Sequence, residues 1–178
     1  MKETWPKAFD KLLEHEAGFT DDPRDPGNSL PDGRPGCTNL GVTQKAWEDY
    51  VKRQVTHDEM KQLTRESVEP FYKGQYWDVL RADELPFGVD YAVFDMGVNS
   101  GWPRAAMLLQ ECVGANPDGK IGPATLAAVA AVPATDLIKQ YSQKRLEYMK
   151  TLKNWPVHGK GWESRVNEVA ALANSMAA

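Results

Sequence analysis

The sequence predicts a mainly α-helical fold: one globular domain with a small β-hairpin or loop excursion after its first helix. Three observations predict it. Apolar residues recur three and four apart through most of the 178 residues, beginning with Trp5, Phe9, Leu12 and Leu13. Alternating apolar and polar runs of the strand kind are nearly absent. Residues 20–41, TDDPRDPGNSLPDGRPGCTNLG, are dense in Asp, Pro, Gly and Asn and have no helical period, which is turn chemistry. The length suits a single core. No Ser/Gly linker and no internal repeat divides the chain. The expected domain is therefore 1–178, with an N-terminal lobe over about 1–85 and a dependent helical lobe over about 86–178.

The elements follow in order. The first helix is expected over 5–17. Within the turn-rich stretch, Pro31-Asp32-Gly33 reads as a hairpin tip. Thr43 reads as the N-cap of a second helix with Ala46, Trp47 and Tyr50 on one face. Thr56 with Glu59 forms a capping box for a short helix through Leu63. Thr64 opens another, carrying Val68, Phe71, Tyr72, Gln75 and Tyr76. Residues 85–98, LPFGVDYAVFDMGV, are apolar nearly all round, the pattern of a central buried helix. Pro103 suits the first turn of a helix over 104–113. Asn116-Pro117-Asp118-Gly119 is a turn. Further helices are expected over about 123–132, 135–152 and 162–176.

The net charge of −4 argues against a nucleic-acid binder. Its distribution is uneven. Residues 1–138 carry 14 Lys and Arg against 22 Asp and Glu, a net of −8, whereas residues 139–178 carry 7 against 3, a net of +4. A basic C-terminal region of this kind either faces an anionic polymer or membrane, or is simply a solvated helix face. No run of 18 apolar residues occurs, so no stable membrane insertion is expected. The amphipathic N-terminus does not read as a signal peptide. Cytoplasmic synthesis follows as the expectation, with help needed for any exit. Cys37 and Cys112 lack metal-ligand spacing and are expected as free thiols.

Chemistry gathers at Glu16, in LLEHEAGF. It falls on the apolar stripe one turn past Leu12 and Leu13, where burying an unpaired acid is costly. Gly18 offers a helix stop, which puts Glu16 in the last turn at the negative end of the helix dipole. Desolvation and dipole both disfavour the charged form, and a carboxyl kept protonated is what a general acid requires. The plain alternative is a salt bridge to Lys or Arg. His15-Glu16 begins like the zinc motif H-E-x-x-H, but Phe19 stands where the second His belongs, so no metal is expected. The serine-hydrolase elbow G-x-S-x-G and the phosphate-binding P-loop are absent. Asp25 lies nine residues after Glu16, in a polar loop where it stays charged. A protonated and an ionised carboxyl flanking one bond are the requirement of glycoside hydrolysis. Asp25 can equally close an Asx-turn, and Asp21, Asp22 and Asp32 are rivals for its role.

These residues carry a resemblance. Glu16-Ala-Gly-Phe, Asp22-Pro-Arg-Asp25-Pro-Gly and Thr38-Asn-Leu-Gly41-Val-Thr43 resemble the signature of glycoside hydrolase family 108, the peptidoglycan muramidases that include many phage endolysins. Later blocks are similar too: Tyr76-Trp77-Asp78, Phe94-Asp95-Met-Gly-Val98-Asn99-Ser-Gly101, Leu109-Gln110, Asp118-Gly-Lys-Ile-Gly-Pro-Ala-Thr125-Leu and Gly161-Trp162-Glu-Ser-Arg165-Val. The resemblance spans residues 8 to 168. It implies a lysozyme-like fold and cleavage of the β-1,4 bond between N-acetylmuramic acid and N-acetylglucosamine, without cofactor. Glu16 would be the general acid. Asp25 and Thr38 would hold or activate a water, or Asp25 would stabilise the oxocarbenium-like charge. Substrate contacts are implied at Gly18, Gly41, Thr43, Asp95 and Asn99. The sequence departs from the family pattern at Ala17, in place of a glycine, and in a longer loop between Asp25 and Thr38. Asp95 has the plain alternative of a buried structural acid, and Asn99 that of a helix C-cap. Trp77, Trp102 and Trp162 are either sugar-stacking platforms or packing residues.

The resemblance further implies a monomer acting on glycan strands of the wall after release from the host cytoplasm, dependent on a holin-type membrane permeabiliser. A lytic transglycosylase acting on the same bond, and a binding protein that kept the fold without activity, are the competing readings.

Overall fold

The fold is that of a computed structural model, which describes residues 4–16 and 18–178. The chain divides into two compact units. One comprises residues 9–74, the other residues 75–178 together with the start of the first helix up to Ala8. The division falls at Gly74, earlier than the lobe boundary expected near residue 85.

The larger unit is built on α5, Val89–Ser100, whose residues from Val89 through Gly97 are all buried, as its all-round apolar sequence requires. It packs against α6 (Trp102–Cys112), α8 (Ala134–Lys150) and α9 (Trp155–Ala177). Trp5, from the first turn of α1 (Thr4–His15), meets Trp77 and Phe94 edge-on, with ring centroids 5.2 and 5.5 Å away. Edge-to-face contacts of this kind each add about 0.5–1.5 kcal/mol to the area buried. Trp77 is thus a packing residue, and its Nε1 donates to Asp83.

Two later sequence blocks also prove structural. The Gln110 side chain donates to Asp118, to the Lys120 carbonyl and to Thr125, and accepts from the Gly119 amide. It fastens the 116–120 turn and the start of α7 (Pro123–Ala130) to α6. Asp95 and Arg165 belong to one buried ion group, described below.

Three helix boundaries depart from the sequence expectation. α6 begins at Trp102, with Pro103 inside its first turn. α9 begins at Trp155, seven residues before the expected 162. Pro156 sits in its first turn, where no intrahelical amide is needed, and Gly159 lies beneath the Trp155 ring, so neither breaks the helix. α4 (Arg65–Tyr72) stops short of Gln75 and Tyr76 and runs into a π-helical turn over Lys73–Trp77.

The smaller unit holds the remainder of α1, an irregular segment, the two-stranded antiparallel sheet of β1 (Thr38–Asn39) and β2 (Val42–Thr43), and helices α2 (Gln44–Val51), α3 (His57–Lys61) and α4. Thr43 caps α2 through its hydroxyl, Thr56 and Glu59 form the expected capping box of α3, and Thr64 caps α4. Cys37, Val55 and Met60 form a small core under Phe19, Trp47, Val51 and Leu63. Arg65 ties α4 to α1 by an ion pair with Asp10 and a cation–π contact with Phe9.

The long segment is not structureless. Short bridges join Thr20 to Thr38 and Ser29 to Pro35, and Pro31-Asp32-Gly33 forms the expected tip, the Gly33 amide donating to the Leu30 carbonyl. Arg34 pins this tip to α2 by pairing with Asp32 and with both oxygens of Glu48. Both cysteines are free thiols.

Candidate active site

The smaller unit brings Glu16, Asp25, Thr38, Gly41 and Thr43 onto one framework, the β1–β2 hairpin. α1 ends at His15, one residue before Glu16 rather than after it. The Glu16 amide still donates to the Leu12 carbonyl at 3.1 Å, so its backbone closes the helix. The side chain is half-buried. Ala17, where the family pattern has glycine, lies outside the described residues. Gly18 is exposed, with open space over its Cα.

The register Thr38↔Thr43 and Asn39↔Val42 leaves Leu40 and Gly41 as a two-residue turn, with φ of 50° and 75°. Two positive φ values in succession match the twist of a tight hairpin. A leucine in this region is strained, at about 1–2 kcal/mol. The Tyr72 hydroxyl offsets part of that strain by donating to the Leu40 carbonyl at 2.8 Å. At Gly41 nothing larger than hydrogen fits. A Cβ there would stand 2.7 Å from Glu16 Oε2, 2.7 Å from the Tyr72 hydroxyl and 2.8 Å from Glu16 Cγ. The turn therefore lies flush against the Glu16 carboxyl, with the Tyr72 hydroxyl crowding the same point.

Asp25 stands at the base of the hairpin. Its Oδ1 accepts from the Gly27 amide at 2.9 Å, the Asx-turn its sequence allowed. Its Oδ2 takes no hydrogen bond from a described residue, and the side chain is exposed. A Cβ on Gly27 would touch Thr43 Cγ2 at 3.2 Å and Asp25 Oδ1 at 3.3 Å, so the Asp25 turn and Thr43 are neighbours. The Thr43 hydroxyl itself is committed to the Ala46 amide as a helix cap.

Two of the rival acids, Asp22 and Asp32, are engaged elsewhere. Asp22 is bonded to the side chain and amide of Arg24, which hold its carboxyl below the usual range. Asp32 is held below that range by Arg34 in the same way.

Thr38 is joined to this loop through Asn28, which sequence reasoning missed. Asn28 is 2% exposed. Its Nδ2 donates to the Asp22 carbonyl at 3.0 Å, which turns its Oδ1 toward Thr38, and the Thr38 hydroxyl donates to that oxygen at 2.8 Å. Its backbone amide donates to Asp25 and its carbonyl accepts from Gly36. Nothing in the sequence marks Asn28 among the other turn residues. Tyr72, also missed, carried a signal: a hydroxyl on an otherwise apolar helix stripe needs a buried partner.

Two implied substrate contacts, Asp95 and Asn99, fall in the larger unit. Asp95 is 1% exposed. Its Oδ2 pairs with Arg145 at 2.7 Å and its Oδ1 with Arg165 at 2.8 Å. Burial works against its charge, but the two guanidinium groups outweigh it and hold the carboxyl below the usual range. Both oxygens are spent on structural ion pairs, the plain alternative for this residue. Asn99 is exposed in the last turn of α5, its Oδ1 accepting from Ser100, and the cap of that helix is Gly101 at φ +88°.

Among the described residues no three His, Cys, Asp or Glu side chains gather in a way that would hold a metal ion.

Comparison with known proteins agrees with this geometry. The family model for glycosyl hydrolase 108 matches residues 9–101, which include the whole of the smaller unit. A similar solved structure is that of SagA from Brucella abortus, at 37% identity and a TM-score of 0.88, with 99% of this chain and 97% of that one covered. No curated protein matches the chain. A mainly helical, lysozyme-like fold shared over nearly the full length, together with the family match across the hairpin and both carboxylates, leads to one conclusion: the chain belongs to the glycosyl hydrolase 108 family and is a peptidoglycan-directed glycoside hydrolase.

Proposed function

We propose that the protein is a muramidase, hydrolysing the β-1,4 bond between N-acetylmuramic acid and N-acetylglucosamine with Glu16 as general acid. One observation supports the reading: the Gly41 turn lies against the Glu16 carboxyl, so closely that a Cβ there would stand 2.7 Å from Oε2. A general acid so positioned donates its proton to the glycosidic oxygen as the bond breaks.

Asp25 and Thr38 handle the water. With Oδ1 taken by the Gly27 amide, Asp25 offers Oδ2 to accept the water's proton. The Thr38 hydrogen is committed to Asn28, so Thr38 offers only lone pairs to the water's other hydrogen. Both groups accept, and the water's own lone pair is left to point at the anomeric carbon. Glu16 lies against the hairpin turn and the Asp25 loop against Thr43, two residues further along the chain.

Digestion of purified peptidoglycan followed by mass spectrometry tests this. Reducing-end muramic acid is expected. Anhydromuramic acid would mean a lytic transglycosylase, and intact polymer a binding protein. A role in host-cell lysis dependent on a holin-type permeabiliser is carried by the resemblance alone. Expression in a bacterial cytosol tests that role: lysis only on co-expression of a permeabiliser is expected, and lysis without one would overturn it.

A further inference from the structure

The start of α9 presents a surface that the hydrolase reading does not use. Residues 150–160, KTLKNWPVHGK, hold three lysines and no acid. Trp155 packs its ring down on Gly159, where an added Cβ would stand 2.7 Å from Cε2. Trp162 follows two turns on, 6.2 Å from Trp155, and the His158 ring lies 5.7 Å from Trp162. The two indoles are half-buried and His158 is exposed. Beside them Pro156 is exposed, and Val157 is 78% exposed, more so than any other large apolar residue described. Trp155, Pro156, Val157 and Lys160 border an open cleft of about 470 Å³, with Glu163 its acidic lining residue. Lys150 reaches over the Trp155 ring at 5.9 Å.

We propose that this tip is a docking surface for an anionic lipid bilayer. The apolar part is the argument for a bilayer rather than a soluble polyanion. Lysines alone would meet a polymer, and an exposed Val157 beside Pro156 would gain nothing from it. At a bilayer, Pro156 and Val157 enter the acyl boundary and the indoles lie at headgroup depth. Lys150, Lys153 and Lys160 extend their stems along the apolar surface and put their ammonium groups among lipid phosphates. Contact is peripheral: no described helix is long and apolar enough to cross a membrane. The surface lies wholly within the larger unit, and the proposal does not rest on the chemistry of Glu16.

The full chain, mixed with sedimenting vesicles, tests this. Vesicles of phosphatidylcholine with an equal share of phosphatidylglycerol should retain it, and pure phosphatidylcholine should not. Retention should fall about fivefold for each lysine changed to glutamine and fall again in 0.5 M salt. Val157→Asp, an exposed change that leaves the fold intact by circular dichroism, should weaken retention roughly tenfold. Its hydrolysis of solubilised peptidoglycan should be unchanged. Three results would each overturn the proposal: no retention on the anionic vesicles, equal retention on neutral ones, or a Val157→Asp chain that binds vesicles as the parent does. Binding to inorganic polyphosphate without any vesicle binding would assign the surface to a soluble polyanion instead, and would equally overturn it.

Discussion

At Gly41 the backbone and the acid compete for the same space. The turn takes φ +75°, and a methyl group would stand 2.7 Å from Glu16 Oε2. Gly41→Ala therefore meets both a conformational and a steric penalty. It should cost about 1–3 kcal/mol of stability and lower hydrolysis far more than that loss explains, because the displaced group is the carboxyl itself. Melting temperature and turnover measured on the same preparation check this. Three candidate acids of the loop differ by their partners. Asp22 and Asp32 already serve arginines, whereas Asp25 is bonded by one backbone amide. Asp25→Asn should impair activity, and Asp22→Asn or Asp32→Asn should leave most of it. The reverse ranking in a peptidoglycan turbidity assay would reassign the second carboxylate.

The hairpin and its preceding loop act as one element because Asn28 joins them. Asn28→Ala takes the acceptor from the Thr38 hydroxyl and leaves the Asp22 carbonyl with the Asp25 amide alone, at about 1–3 kcal/mol. It also frees Thr38 to donate rather than accept. Activity should fall beyond the stability loss, measured by denaturant midpoint beside turnover. The helical elements were largely legible in the sequence, since capping residues such as Thr43, Thr56 and Thr64 act locally and the all-round apolar run of α5 admits one environment. Glu16, Asp25, Thr38 and Gly41 were legible as motif residues and a small hairpin after α1 was expected, but their arrangement around the Leu40-Gly41 turn was not. That arrangement depends on Asn28 and Tyr72, whose bonds span six to 32 residues. The last helix was expected from Trp162, yet α9 begins at Trp155, whose ring covers Gly159 one turn on. Asp95 carried a motif resemblance, yet its place is set by Arg145 and Arg165, 50 and 70 residues away.

Over the whole molecule, that buried ion group sets a pH limit on stability. Asp95 is held below its unfolded value of about 3.9. The folded state therefore binds the proton less readily than the unfolded one. The stabilisation is complete above about pH 4 and is lost as the pH falls through the lower folded value. Asp95→Asn takes the anionic partner from the buried Arg145 guanidinium and should cost roughly 3–5 kcal/mol at neutral pH. Its melting temperature should be flatter than that of the parent between pH 4 and pH 2, a comparison calorimetry can make. The family match, the shared lysozyme-like fold and the hairpin-held acid converge on glycoside hydrolysis as the work of the chain. The most direct test is the rate at which Glu16→Gln releases reducing-end muramic acid from peptidoglycan, with circular dichroism confirming the native fold. Loss of the general acid predicts a fall of about 10²-fold or more. A folded Glu16→Gln protein that kept over roughly a tenth of the parent rate would contradict the assignment of Glu16 as the acid.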